Sequence, residues 1–358
     1  MEEVLDVVVH VGFAFDVGYE IDLSAAQALL RVESGPIARW RRTPESIRYR
    51  PAPLRVPIVM DRFDLPGSVP IAGPIRADLG LFDFGAVSFS VALPLRITDV
   101  ALLDLAAGLS DVPPLQTQAK AAVEPVVARI RPAVTEFAWS DLSEEYIVFQ
   151  LGEISADWLD THADWAARLV RLDAGPLSAQ EVREATRLQL SYAPNDLVIL
   201  DWAAGLIADR DCADTLQIIE FANVQLLEFR HIDDRLDDRL EAAYRLIHPG
   251  PGRLMRWRSH DDALRSVREL EIEATSLFER ADNALKLIGD QYLSRVFGLA
   301  STRFHLVEWQ QSIRRKLETV GDVYDLLVQQ AGGRRMETLE MIVVILIAME
   351  IVLALVRH

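Results

Sequence analysis

Hydrophobic and polar positions follow one rule up to about residue 202 and another after it. Residues 4–15 (VLDVVVHVGFAF) are rich in β-branched side chains and predict a strand, too short and interrupted to cross a membrane. Asp22 is placed to cap a helix over Leu23–Leu30, since its carboxylate can accept the orphan amide protons of a first turn. Pro36, Pro44, Pro51, Pro53, Pro57, Pro66, Pro70 and Pro74 are eight of the seventeen prolines, so residues 36–74 predict loop or edge-strand structure. Leu79–Asp83 and Val87–Leu93 form a strand pair turning around Phe84-Gly85. Val87, Phe89 and Val91 alternate with Ser88, Ser90 and Ala92, the period of a half-buried strand.

Thr98 or Asp99 opens a helix carrying Leu102, Leu105 and Leu109, and residues 110–142 are interrupted by proline and ambiguous. Tyr146–Leu151 is a further strand, followed by an amphipathic helix with Trp158, Leu159, His162, Trp165, Ala166 and Leu169 on one face. Ser178 and Glu181 make a capping box for a helix running to about Leu190. Asp196–Trp202 is the last strand. Residues 1–205 therefore predict a mixed β-sheet body with covering helices.

Apolar spacing then becomes that of long helices, over 212–247, 262–290 and 303–330. Leu306, Trp309, Ile313, Leu317, Val320, Tyr324 and Leu327 recur close to an a/d heptad seam, which predicts self-association. Residues 206–333 thus read as a helical hairpin or coiled-coil stalk. Residues 334–358 hold an apolar run, 341–356, followed by Arg357-His358. At the helical rise its sixteen residues cover about 24 Å against about 30 Å of hydrocarbon core, enough if Leu339 is included and the flanking arginines snorkel. Glu350 lies inside this run, where a carboxylate is expensive unless paired or near the surface. The fold class expected is α+β: sheet body, helical stalk, C-terminal apolar helix.

The formal charge of −17 is a poor footprint for phosphate backbones, so no direct nucleic-acid binding is expected. Cys212 is the only cysteine, which excludes an intrachain disulfide and fits a reducing compartment. Lysine occurs only at 120, 286 and 316, which reads as the coding bias of a GC-rich bacterium. Met1-Glu2-Glu3-Val4 lacks the basic start of a secretory signal, so the expected location is the inner membrane, through a C-terminal anchor, with the body in the cytoplasm.

Leu339-Glu340, Ile342, Leu346-Ile347 and Glu350 resemble the terminal signature of the required-for-meiotic-nuclear-division family, a domain of unknown function shared by bacteria, fungi and mitochondria. Leu81-Phe82-Asp83-Phe84-Gly85-Ala86-Val87-Ser88-Phe89 is similar to that family's aromatic, Tyr-Gly, Val-Val-Phe strand, with Phe84 where Tyr is usual. Asp196–Leu200 resembles its later strand. The resemblance implies a membrane anchor and self-association, and carries over no catalytic residue.

Candidate chemistry is sparse. His231, Asp234 and Asp238 share a helix face at a spacing that can ligate a divalent metal, while the same pattern also describes a solvated face over buried Ile232, Leu236 and Leu240. Asp201, Asp209, Asp211 and Asp214 form a second acidic patch without EF-hand order. Walker A, GxGxxG and GxSxG patterns are absent. The expectation is a non-catalytic, membrane-tethered scaffold with no cofactor, whose partners are the lipid bilayer, further copies of itself and an unknown protein. The alternatives are a metal-dependent enzyme using the Asp233–Asp238 helix, and a soluble homo-oligomeric binding module with the tail buried.

Overall fold

The computed structural model of the protein describes residues 3–31, 52–247, 272, 274–276, 278–279 and 290–322, with the backbone alone over 242–247. The chain divides into two units. The first is Met1–Arg230 with Glu279–Trp309, the second His231–Phe278 with Gln310–His358.

The first unit is organised by an eight-stranded mixed sheet. Its strands are β1 (Val4–Asp16), β3 (Leu54–Ile58), β4 (Arg76–Leu81), β5 (Ala86–Thr98), β7 (Ser143–Leu151), β8 (Gln189–Leu190), β9 (Leu197–Leu200) and β10 (Ala204–Ala208). They lie in the order β3-β4-β5-β1-β7-β10-β9-β8, while β2 (Glu20–Ile21) and β6 (Val134–Thr135) pair separately. Every pairing in the large sheet is antiparallel except that of β7 with β10. β1 and β5, thirteen residues each, pair along their whole length from Val4↔Thr98 to Asp16↔Ala86. Proline-bearing β3 takes an outer edge, where Pro57 removes an amide proton that a central strand would need.

The β4–β5 hairpin turns through Asp83-Phe84-Gly85. Gly85 has φ +93°, and a Cβ there would fall 1.7 Å from the carbonyl oxygen of Gly18, so the turn admits glycine alone. The carbonyl of Gly85 in turn accepts from the amide of Val17 at 3.0 Å.

One face of the sheet is hydrocarbon. Val9, Val11, Phe13, Phe89, Val91 and Phe149 join residues of α1 (Leu23–Leu30), α2 (Asp99–Leu109), α3 (Val112–Ile130) and α4 (Trp158–Arg171) in one buried cluster. Asp22 caps α1 by accepting from the amides of Ser24 and Ala25, each at 3.0 Å, and Thr98 caps α2.

Residues 112–130, ambiguous in the sequence, form α3. Its prolines 113 and 114 sit at the start, where their missing amide protons have no helical partner to lose. Leu115, Ala119, Val123, Val127 and Ile130 carry the buried stripe. Several boundaries differ from those predicted: β4 runs from Arg76 to Leu81 instead of Leu79–Asp83, β5 continues to Thr98 instead of ending at Leu93, and β7 begins at Ser143 instead of Tyr146. The helix begun at Ser178, α5, ends at Ala185 instead of near Leu190, because Gln189–Leu190 pair with Val198–Ile199 as β8. Strand β10 follows immediately after β9. It is buried on both faces, so it shows no alternation to read.

Helix α6 (Ala213–Ile247) begins in the first unit and ends in the second. In the first unit α7 (Gln291–Arg303) is capped by Asp290, whose carboxylate accepts from Tyr292 N at 2.7 Å and Leu293 N at 3.1 Å. The expected helices of 262–290 and 303–330 did not include this element. A break at Phe304-His305 separates it from a further helix, α8, over 306–322. In the second unit, Lys316 Nζ bridges Asp233 at 2.8 Å and Asp237 at 2.7 Å, tying α8 to the end of α6. Among the described residues no helix is long and apolar enough to cross a membrane; the run 341–356 lies outside them.

Candidate functional site

Antiparallel register carries side chains of one face straight across the strands, and here it builds a trough. Arg76, Ala92, His10 and Val148 form one row; Pro57, Asp78, Ser90, Gly12 and Tyr146 form the next; Arg55, Gly80, Ser88, Ala14 and Glu144 form a third. The β5 position of each row is alanine or serine, and β1 adds Gly12 and Ala14. The first half of α6 lies over these small residues, with Leu216, Gln217, Glu220 and Asn223 toward the sheet, and encloses a cavity of about 450 Å³. Serines that the alternation assigned to a half-exposed strand are therefore covered; Ser88 is 3% exposed.

Charge is held in the trough by pairing across elements. Arg55 on β3 makes a two-pronged bond to Glu220 on α6, at 2.7 and 2.6 Å, and reaches Asp78 Oδ2 at 3.2 Å. This planar fork to a carboxylate is the strong form of such a contact. Ser90 Oγ donates to Asp78 Oδ1 at 3.0 Å. Burial pushes the Asp78 carboxyl above its ordinary value in spite of Arg55, and the nearby Glu220 charge adds to the rise. Arg76 also lines the cavity and is exposed.

His10 Nε2 lies 2.9 Å from Gln150 Oε1, and the Gln150 amide nitrogen donates to the carbonyl of Asp209 at 2.9 Å. With that amide fixed, His10 must donate from Nε2, and Nδ1 is left as an acceptor. Burial pushes the imidazole below its usual value, more strongly than the Gln150 bond raises it, so the ring is neutral near pH 7.

Two clasps lie beyond the trough. Glu144 pairs with Arg230, and its backbone carbonyl accepts from Asn223 Nδ2 at 3.2 Å. Burial pushes the Glu144 carboxyl up to about 7, with Arg230 opposing. Asp201, 1% exposed, meets Arg171 Nε at 2.8 Å and Arg303 Nη1 at 3.2 Å. The Arg171 contact is off the hydrogen-bond axis and counts as an ion pair only. Arg303 also donates to the carbonyls of Leu200 at 3.0 Å and Glu184 at 3.1 Å, which fastens α7 to the sheet. The Tyr146 hydroxyl donates to the Asp201 carbonyl at 2.9 Å. Asp201 therefore belongs to a structural clasp and not to an acidic patch with Asp209, Asp211 and Asp214.

Other residues singled out in the sequence are placed as follows. Asp234 and Asp238 are exposed and His231 half-buried. Among the described residues no three His, Cys, Asp or Glu side chains converge to hold a metal. Leu306, Ile313 and Val320 are buried within the chain, and Trp309 and Leu317 half-buried. Tyr324 and Leu327 lie outside the described residues, as do Leu339, Glu340, Ile342, Leu346, Ile347 and Glu350. Cys212 is buried, its thiol pushed up to about 12 mainly by burial, so it is a poor nucleophile. The trough residues escaped sequence reasoning because His10, Asp78 and Ser90 occupy ordinary solvent-side positions of alternating strands. A visible signal was the cluster of small residues at Gly12, Ser88, Ser90 and Ala92, which leaves room beneath whatever covers that face.

A large mixed sheet, helix-covered on one face and overlaid by a long helix on the other, makes this an α+β protein. Residues 6–215 match the family described as "Uncharacterized protein MJ0711, N-terminal domain", and the chain belongs to that family, a domain of unknown function. The uncharacterized protein MJ0711 of Methanocaldococcus jannaschii is 26% identical over 219 residues, a match covering 60% of this chain and 66% of that protein. No solved structure matches. This corrects the likeness to the required-for-meiotic-nuclear-division family. Its hairpin segment, Leu81–Phe89, is what strand alternation around an obligatory Gly85 produces in any fold, and its tail signature is an apolar run with two acids, Glu340 and Glu350, outside the matched span.

Proposed function

We propose that the protein is a non-catalytic scaffold tethered to a lipid bilayer, with its sheet body on the cytoplasmic side of the inner membrane. The observation that carries the reading is the run Met341–Val356, in which Glu350 is the only charged residue and no polar face exists. The body suits such a role in being braced by ion pairs between distant elements: Arg55 to Glu220, Arg230 to Glu144, and Arg303 to Asp201. The seam over 306–327 supplies self-association in this reading, through its half-buried Trp309 and Leu317 and its continuation at Tyr324 and Leu327.

Fractionation tests the tether. Full-length protein is expected in the membrane pellet and resistant to high salt, and a chain ending at Gly333 is expected in the supernatant. Both in the supernatant would overturn the reading.

A further inference from the structure

The trough between α6 and the sheet has a charge arrangement that structural pairing does not use up. Two carboxylates, Asp78 and Glu220, face one guanidinium, that of Arg55. Glu220 spends both oxygens on the Arg55 fork. Asp78 gives one contact to Arg55 and one to Ser90, leaving acceptor sites on a group that can take about four. Among the described residues this group of three thus carries one negative charge in excess. His10, in the row of Arg76, offers a further acceptor, since its Nδ1 has no partner among the described residues and the ring is held neutral by burial. Arg76 stands two residues before Asp78 on the same strand and face, about 7 Å away along the backbone, and has no ion pair among the described residues.

We propose that this cavity binds a small zwitterion of the α-amino-acid class, its ammonium on Asp78 and its carboxylate on Arg76. The ammonium supplies donors to the unspent acceptor sites of Asp78, and a guanidinium suits a carboxylate by its planar fork. Ala92, Gly12 and Val148 floor the space between, which suits the carbon skeleton. The volume, about 450 Å³, lies within the range of small-molecule sites. Asp78 is raised by burial, so a bound ammonium would offset an existing desolvation penalty instead of creating one.

The test is calorimetric titration of the full chain at pH 7 with each of the twenty common α-amino acids. For any that binds, the matching primary amine and 2-hydroxy acid are titrated too. At least one amino acid is expected to bind one to one, and both analogues at least tenfold more weakly. Arg76 is exposed, so Arg76→Gln should melt as the parent does. It should weaken the amino acid at least tenfold and shrink its advantage over the amine to less than threefold. Absence of binding by all twenty at millimolar concentration overturns the proposal, as does binding that Arg76→Gln leaves unchanged.

Discussion

On β1, Val9, Val11 and Phe13 point one way and His10 and Gly12 the other, and the two sets meet different neighbours. The first set enters a continuous hydrocarbon layer with Phe89, Val91 and Phe149 under α2, α3 and α4. The second lies among serines, ion pairs and a cavity under α6. Both faces are covered, yet they contribute differently. Apolar burial is non-directional and scales with area, so the first face supplies stability that tolerates small shifts of packing. Polar contacts hold only in one geometry, so the second face fixes register: a slip of one residue on β5 would send Ser88 and Ser90 into the hydrocarbon. A site can be built on the second face because it is the one with room and unspent acceptors.

The largest test of this contrast is a pair of neighbours on β5. Phe89→Ala empties a fully buried position on the hydrocarbon face and is expected to cost about 3–5 kcal/mol. Ser90→Ala removes one bond to Asp78 and is expected to cost about 1 kcal/mol. Denaturant unfolding measures both, and similar losses would abolish the distinction between the faces.

Asp201→Ala comes next. It removes the nearer carboxylate of Arg303, whose side chain is 10% exposed, and leaves only the longer contact to Glu184 at 3.9 Å. Breaking such a pair is expected to cost about 3 kcal/mol, chiefly by stranding the guanidinium. Amide exchange should report earlier opening of α7. Unaltered exchange in α7 would mean that the two backbone carbonyls and Glu184 suffice to hold Arg303.

Glu144 gives a pH test with a definite sign. Its carboxyl titrates near 7 when folded, against 4.5 for an ordinary glutamate. The folded state therefore holds the proton across that interval, and stability falls as pH rises from about 4.5 to about 7, then levels. Glu144→Gln keeps a neutral side chain at all pH values. It is expected to remove this segment of the slope and to raise stability at pH 8 by on the order of 2 kcal/mol. If the slope between about pH 4.5 and 7 persists in the variant, the titration belongs to another group.

Much of the hydrocarbon face was legible in advance, and much of the polar face was not. Alternation at Val87, Phe89 and Val91, the cap at Asp22 and the amphipathic stripe from Trp158 each report a local physical need, so residues a few positions apart suffice to read them. β10 was lost because a strand buried on both faces has no alternation. α3 was lost because its prolines read as breakers: Pro113 and Pro114 are harmless in the first turn, and Pro125 is carried inside the helix. The trough was lost for a different reason. His10, Arg55, Arg76, Asp78 and Glu220 converge through pairings up to 165 positions apart, and no local pattern encodes the helix that covers them.

The smallest effects concern two glycines of the same polar face. Gly80 lies directly opposite Arg55, and a Cβ there would stand 3.0 Å from Arg55 Nη1 and 3.3 Å from Glu220 Oε1. Gly80→Ala must displace the far end of a flexible side chain, so the strand survives while the fork to Glu220 is disturbed, at a cost of about 1 kcal/mol. Gly12, two strands away, meets nothing nearer than the Tyr146 carbonyl at 3.4 Å. Gly12→Ala should leave stability unchanged or raise it by about 0.5 kcal/mol, because alanine has less chain entropy to lose. The loss at Gly80 should shrink toward zero when Arg55 is replaced by leucine, since the displaced group is then gone. A Gly80→Ala loss that persists in Arg55→Leu would place its cause in the backbone of β4, and the clasp would no longer explain why that strand carries glycine.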